Sequence, residues 1–120
     1  MLKEIIKSNS QSLAFGLDEN KLPKYVPKEL KELIDHENKF GQATKLIFIE
    51  KYDEPTSKKA QVRYLPKSYA TPMHYEIYGN KVAMINWDPP ITTIITENKA
   101  MADSFKIYFN NLWKIAKSKQ

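Results

Sequence analysis

The clearest pattern of apolar and polar positions is a hairpin in the second half of the chain. Residues 73–78 and 81–87 flank Gly79-Asn80, a dipeptide that tolerates the positive φ angles of tight turns. In the second arm both alternating faces are largely apolar, which predicts a strand in the interior of a sheet. Apolar, β-branched runs predict four further strands, at residues 12–17, 44–50, 60–65 and 91–96.

Helical spacing of apolar residues appears first near the start of the chain. It predicts a short helix over residues 2–7, which we interpret as the end of a longer helix. The stretch KLPKYVPK holds two prolines and is predicted to be irregular. Pro27 suits the first turn of a second helix, which is predicted to run to about His36 and to use that histidine as a cap.

The longest helical pattern runs from Glu97 to about Lys117 and is predicted to close the sheet. Its apolar stripe is predicted to be mainly core and consists of Met101, Phe105, Tyr108, Phe109, Leu112 and Ala116. Ile107 and Trp113 lie off the centre of this stripe. They are candidates for a partner surface, and a wider buried stripe is an equally good interpretation.

The order of these elements predicts the fold class. It indicates an α/β protein with a single mixed β-sheet and packed helices, closed by the long C-terminal helix. The chain has no internal repeat and no linker long enough to divide it. A length of 120 residues suits one domain, residues 1–120.

The charge balance is basic, with a formal net charge of +5. Contact with nucleic acid or another acidic partner would explain this balance, and so would a lysine-rich solvated surface. Arg63 is the only arginine. This scarcity argues against sequence-specific reading of bases, for which arginine is the usual residue.

The composition also disfavours several kinds of site. The chain has no cysteine, which excludes disulfides and thiolate chemistry and fits the cytoplasm. His36 and His74 are far apart in sequence, so no metal site is predicted. The three glycines are isolated, which leaves no glycine-rich phosphate loop, and no cofactor is predicted. No window approaches the ~18 consecutive apolar residues of a membrane span, and the start does not resemble a signal peptide.

One strand carries the most interesting polar residues. The segment HYEIY places His74, Glu76 and Tyr78 on one face. The His–Glu pair could transfer protons, but a satisfied polar pair on a half-exposed strand is the favoured interpretation. The adjacent acids Asp53 and Glu54 are interpreted as solvated loop residues. No catalytic residue is predicted, and we expect no enzyme activity.

Several segments of the second half resemble TrmB-like archaeal transcriptional regulators. RYLP, IYGNKVAMINW and ENKAMADSFKIYFNNLWKIAK are similar, in the same order, to segments that recur in the C-terminal region of that family. FGLDENKLPKYVPKEL and KLIFIE fit its first strand and helix, and its second strand, more loosely. Where the family often has a basic stretch, this chain reads LIDHENKFGQATKLI.

The resemblance implies an effector-sensing and dimerising domain with a fold similar to a phospholipase D-like half-domain. Active members of that superfamily carry a His-x-Lys and Asp signature, and here Pro72, His74 and Gly79 stand in those positions, which implies an inactive member. The family's DNA-binding winged helix is not matched. Residues 1–8 are therefore interpreted as the end of a linker helix, and DNA contact is expected only through a separate winged-helix domain.

The resemblance further implies a cytoplasmic homodimer that binds a small-molecule effector, such as a sugar or another metabolite, and that does not bind a membrane. Candidate effector contacts are polar and aromatic groups at strand ends and loops: Arg63, Tyr64, His74, Glu76, Tyr78, Asn86, Trp87 and Asp88. Two alternatives from other classes stay open. The chain could be a small basic nucleic-acid-binding protein, whose affinity would fall steeply with salt, or a degenerate phospholipase D-like phosphodiesterase, whose turnover would depend on His74.

Overall fold

A computed structural model of the chain describes residues 2–8, 11–17, 21–40 and 44–118. The helices are α1 (Leu2–Ser8), α2 (Lys21–Tyr25), α3 (Pro27–Lys39) and α4 (Lys99–Ile115), and residues Lys67–Tyr69 form a 3-10 turn. The strands are β1 (Ser12–Leu17), β2 (Lys45–Ile49), β3 (Gln61–Leu65), β4 (Met73–Tyr78), β5 (Lys81–Asn86) and β6 (Thr92–Glu97).

The six strands form one open mixed sheet in the order β3-β2-β1-β4-β5-β6. β1, β2 and β3 run parallel, whereas β4, β5 and β6 pair antiparallel. The strand β1 joins the two halves, because it is parallel to β2 and antiparallel to β4. The predicted single mixed sheet is confirmed, and so are the 73–87 hairpin and the interior position of its second arm, β5.

Helices cover both faces of the sheet and create two apolar cores. On one face α1, α2 and α3 bury a cluster that includes Leu2, Leu30 and Phe48. On the other face α4 buries a second cluster that includes Ile47 and Phe109. Because both faces are buried, the central strands carry apolar residues at successive positions, as the sequence pattern predicted.

The long helix α4 crosses the second face obliquely and is tied to the sheet at both ends. At its start, the Asn98 N–H donates to the carbonyl oxygen of Asn80 in the β4–β5 turn at 2.9 Å, and the Asn98 side chain caps the helix. Just past its end, Lys117 pairs with Tyr64 of β3 through two backbone hydrogen bonds. The helix begins later than the predicted residue 97, because β6 extends to Glu97, and it ends at Ile115, before Lys117 pairs with β3.

The structure corrects three predictions about helices. The helix α3 continues past His36 to Lys39 and ends at Phe40, so His36 is not its cap. The stretch KLPKYVPK is not irregular, because Pro23 lies in the first turn of the short helix α2, where no backbone donor is needed. In α4 the core stripe is centred on Ala102, Phe109 and Ala116. Met101 and Tyr108, which were predicted to be core, are exposed.

Gly16 shows why β1 needs a residue without a side chain. Its φ angle is +81°, and a Cβ placed there would clash with the backbone carbonyl of Met73 on β4. The register between β1 and β2 also shifts between Ala14 and Leu17. Of the predicted alternatives, a bulge or a close backbone approach at Gly16, the close approach is confirmed.

Candidate functional site

The predicted row of His74, Glu76 and Tyr78 lies on one face of β4, under the helices of the first core. His74 Nε2 lies 3.0 Å from Glu76 Oε1, and the two side chains are 1% and 7% exposed. The strand is therefore not half-exposed, as the sequence interpretation assumed, but buried. The other ring nitrogen of His74, Nδ1, is buried and has no hydrogen-bond partner among the described residues.

Two further carboxyl groups complete a buried acidic cluster. Glu37 of α3 is buried, and burial, reinforced by the charge of Glu76, raises its pKa to about 7 although a hydrogen bond with the Thr44 side chain lowers it. Glu54 follows β2 and is half-buried, and burial raises its pKa too, against a 2.6 Å hydrogen bond from the Tyr52 hydroxyl. Asp53 is exposed as predicted, but Glu54 turns inward instead of being solvated.

The space within this cluster is small. The cavity that Glu37, Glu54 and Glu76 help to line has a volume of about 30 Å³, which is room for roughly one water molecule. The buried hydroxyl of Ser57 also lines it and has no hydrogen-bond partner in the described part of the chain. Over the described ranges, no group of three or more His, Cys, Asp or Glu residues is arranged to hold a metal ion. The cluster can hold a proton or a water, but not an effector molecule.

A larger cleft lies where α1 meets the β4–β5 turn. The carboxylate of Glu4 accepts hydrogen bonds from the Tyr78 hydroxyl at 3.1 Å and from Lys81 at 3.4 Å, and these bonds lower the pKa of Glu4. The cleft has a volume of about 340 Å³. It is lined by Glu4, Lys7, Ser8, Tyr78, Gly79, Asn80, Lys81 and Glu97. Two acidic and two basic side chains line the cleft, so it offers both hydrogen-bond acceptors and hydrogen-bond donors.

Arg63 and Tyr64 leave β3 on opposite faces of the sheet. Arg63 lies on the α4 face, where its guanidinium stacks 4.4 Å from the ring centre of Trp113 and donates to the Trp113 carbonyl oxygen at 2.8 Å. Tyr64 packs in the first core with its ring 6.0 Å from that of Phe48. The two neighbours therefore do not form one site.

Asn86, Trp87 and Asp88 lie together at the far end of β5. The Asn86 side chain bonds to the backbone of Asp88 and Pro90, which shapes the loop. Trp87 stacks on Tyr25 of α2 with ring centres 5.8 Å apart. The eight predicted effector contacts thus fall into separate places in the fold, and only Tyr78 reaches the larger cleft.

The two partner-surface candidates have different surroundings. Ile107 is 59% exposed. Trp113 packs against the second core, stacks on Phe109, and is flanked by Arg63 and Lys45. The packing of Trp113 fits the alternative interpretation, in which this residue widens the buried stripe of α4.

Some residues of these sites were missed in the sequence, and one left a signal. Glu37 follows Leu30, Leu33 and Ile34 at helical spacing, so it continues the apolar stripe of α3 and must be buried. Glu4 and Lys81 left no such signal, because each meets a partner that is distant in sequence. Among the described helices, none combines the length and apolar character needed to cross a membrane.

The layout of an open mixed sheet with helices on both faces defines an α/β domain, and this domain type is found in a solved archaeal structure. The chain superposes on TrmBL2, described as an archaeal chromatin protein with a novel mode of DNA binding, with a TM-score of 0.66 and 14% identity. The alignment covers 98% of this chain and 48% of TrmBL2, so the chain spans about half the length of that protein. No protein-family model and no curated protein matches the sequence.

Proposed function

We propose that this chain is a non-catalytic, effector-sensing and dimerising domain of a cytoplasmic archaeal TrmB-like transcriptional regulator. In this proposal the domain is an inactive phospholipase D-like half-domain, and DNA is contacted through a separate winged-helix domain. The observation that carries the proposal is the shared fold: nearly all of this chain aligns with about half of a DNA-binding archaeal chromatin protein.

The positions of the family-like segments support the proposal. RYLP ends β3, IYGNKVAMINW forms most of the β4–β5 hairpin, and ENKAMADSFKIYFNNLWKIAK forms α4. These segments meet in the fold. Asn98 bonds to Asn80 of the hairpin, and Lys117 pairs with Tyr64. The segments that carry the resemblance therefore form one connected part of the fold.

Size and chemistry favour the cleft beside α1 as the effector site. Its volume of about 340 Å³ falls within the ~300–1,000 Å³ range of small-molecule sites, whereas the acidic cavity holds one water. Two carboxylates, two ammonium groups and the Tyr78 hydroxyl offer acceptors and donors without a large net charge. This combination suits a neutral polyhydroxylated molecule, such as a sugar, better than a phosphate or a carboxylate.

The proposal is tested by titrating isotopically labelled protein with glucose and with maltose and following the backbone resonances. We expect shifts to concentrate at Glu4, Tyr78 and Lys81. Replacing Lys81→Met should weaken binding at least tenfold because it removes a donor from the cleft. Lys106→Met, on α4 and away from the cleft, is the matched control and should leave binding unchanged.

Other outcomes would overturn parts of the proposal. Absence of shifts at millimolar concentrations of either sugar would remove this ligand class from the cleft. Salt-sensitive binding of a DNA duplex by this chain alone would favour the nucleic-acid-binding alternative. Turnover of a generic phosphodiester that is lost in His74→Ala would revive the phospholipase D-like alternative. A chain that stays monomeric at high concentration would remove dimerisation.

A further inference from the structure

The helix α4 carries an apolar line of side chains outside its core stripe. It consists of Met101, Phe105, Tyr108, Leu112 and Ile115, which alternate four and three residues apart. This is the spacing of a helix that packs lengthwise against another helix. Phe105 and Leu112 are half-buried, but Met101, Tyr108 and Ile115 are exposed. We name these five residues the α4 seam.

The sheet beside this seam is uncovered at one corner. Tyr75, Met84 and Ile94 are in register on β4, β5 and β6, so their side chains share the face on which α4 lies. Phe105 of the seam contacts Tyr75, with ring centres 5.8 Å apart. From β4 toward the edge strand β6 the helix α4 covers less of the sheet, and Ile94 on β6 is 51% exposed. The seam and this corner therefore meet at the contact between Phe105 and Tyr75.

The charges of α4 lie away from the seam. Within Lys99–Ile115 the charged residues are Lys99, Asp103, Lys106 and Lys114. At the 3.6-residue period of an α-helix, all four project from the side opposite Met101 and Tyr108. Asp103 pairs there with Lys99 at 2.7 Å and with Lys106 at 3.9 Å. The seam side therefore presents no charge, although the chain as a whole is basic.

The absence of charge on the α4 seam favours a second copy of the chain over nucleic acid or an acidic protein as the partner. Nucleic acids and acidic protein surfaces are bound by lysine-rich surfaces, and the α4 seam has no lysine. A second copy of a chain with net charge +5 would be repelled by most of the surface but not by this one. Tyr108 is also the central residue of the seam, and Met101 and Ile115 lie seven residues before and after it. A two-fold axis at Tyr108 would pair Met101 of one copy with Ile115 of the other.

We propose that the α4 seam and the adjoining sheet corner dock against the same surface of a second copy, with the two α4 helices antiparallel about a two-fold axis. This inference rests on the dimerisation part of the proposed function and assigns its surface. A helix of 17 residues offers a strip ~25 Å long and ~10 Å wide, or roughly 250 Å² per copy. Since a specific interface buries about 600 Å² or more per partner, the sheet corner must contribute as well.

The test compares neighbouring residues of equal exposure in sedimentation equilibrium of the 120-residue chain. Tyr108 is 58% and Ile107 59% exposed, but Ile107 points away from the seam. Tyr108→Lys should weaken dimerisation at least tenfold, and Ile107→Lys should leave it within twofold. Ile94→Lys and Ile95→Lys form a second pair, since these neighbours lie on opposite faces of β6. Here Ile94→Lys should weaken the dimer and Ile95→Lys should not.

A second measurement does not depend on a disruptive change. The chain has no cysteine, so Tyr108→Cys introduces a single thiol beside the proposed axis. Mild oxidation should convert most of this variant to a disulfide-linked dimer, whereas Ile107→Cys should stay largely uncrosslinked. A wild-type dimer that is weakened by Ile107→Lys and not by Tyr108→Lys, or crosslinked through residue 107 only, would overturn this inference and leave the proposed function intact. A monomeric wild type would overturn both this inference and the dimerisation part of the proposed function.

Discussion

At the scale of single residues, the buried acid Glu37 of α3 links the stability of the domain to pH. Glu37 lies buried near Glu76, and burial disfavours its charged form. Its ordinary pKa of 4.5 is raised to about 7. A carboxyl whose pKa is higher in the folded chain than in the unfolded chain stabilises the fold only while it is protonated. Its contribution is therefore present below pH 4.5 and is lost as the pH rises to about 7.

Glu37→Gln should make the free energy of unfolding less dependent on pH. We expect the wild type to lose roughly 2–3 kcal/mol between pH 4.5 and pH 7.5 through this group, and the variant to lose much less. The variant should also be the more stable protein at neutral pH, because glutamine has no charge to bury. Urea denaturation followed by circular dichroism at several pH values measures both effects.

Glu32→Gln is the control, since Glu32 is exposed on the same helix. It should leave the pH profile unchanged. Some pH dependence should remain even in Glu37→Gln, because burial raises the pKa of Glu54 in the same direction. If the two variants have the same profile, Glu37 does not titrate as its surroundings indicate.

The surroundings of a residue could be predicted from the sequence where the residue lies on a regular strand or helix, because the period of the element shows which residues share a face. The shared face of His74, Glu76 and Tyr78 follows from strand alternation alone. The inward orientation of Glu54 does not follow from any such pattern, because the apolar and polar residues after β2 do not alternate regularly. The 50-residue separation between Arg63 and Trp113 likewise places their contact beyond any local pattern.

At the scale of elements, α4 depends on the residue that begins it. The Asn98 side chain accepts a hydrogen bond from the Met101 N–H at 3.0 Å, which satisfies one of the open donors of the first turn. We expect Asn98→Ala to lower the free energy of unfolding by about 1 kcal/mol. Chemical denaturation measures this loss. Asn110→Ala, at an exposed site within the same helix, should cost nothing, because alanine favours helix more than asparagine does. Equal losses in the two variants would contradict a capping role.

The elements themselves could largely be read from the sequence, and the exceptions have clear causes. Strong alternation and the Gly79-Asn80 turn located β4 and β5 within a residue of their observed bounds. Pro23 hid α2, because a proline is compatible with a first helical turn as well as with a loop. For α4 the apolar residues occupy more than half of the helix surface. Periodicity alone could not distinguish the core side from the exposed seam.

For the whole molecule, the class of fold was predictable but the strand order was not. Nothing in the local pattern shows that β1 lies between β2 and β4. Each strand of the central group has two apolar faces, and such strands could be arranged in several orders. The same limit applies to the cleft, which α1 and the β4–β5 turn form from residues more than 70 positions apart, as in the hydrogen bond between Tyr78 and Glu4.

The position of β1 between the two halves of the sheet has a consequence for folding order. β4, β5, β6 and α4 are continuous in sequence, so they can assemble through short loops, whereas the β1–β4 ladder must close a loop of about 60 residues. We expect the C-terminal half to be the more structured in the folding transition state. Val82→Ala in β5 should then slow folding, and Ile47→Val in β2 should mainly speed unfolding. Stopped-flow measurements of the folding and unfolding rates of both variants test this expectation. If Ile47→Val slows folding and Val82→Ala mainly speeds unfolding, the folding nucleus lies in the parallel half of the sheet.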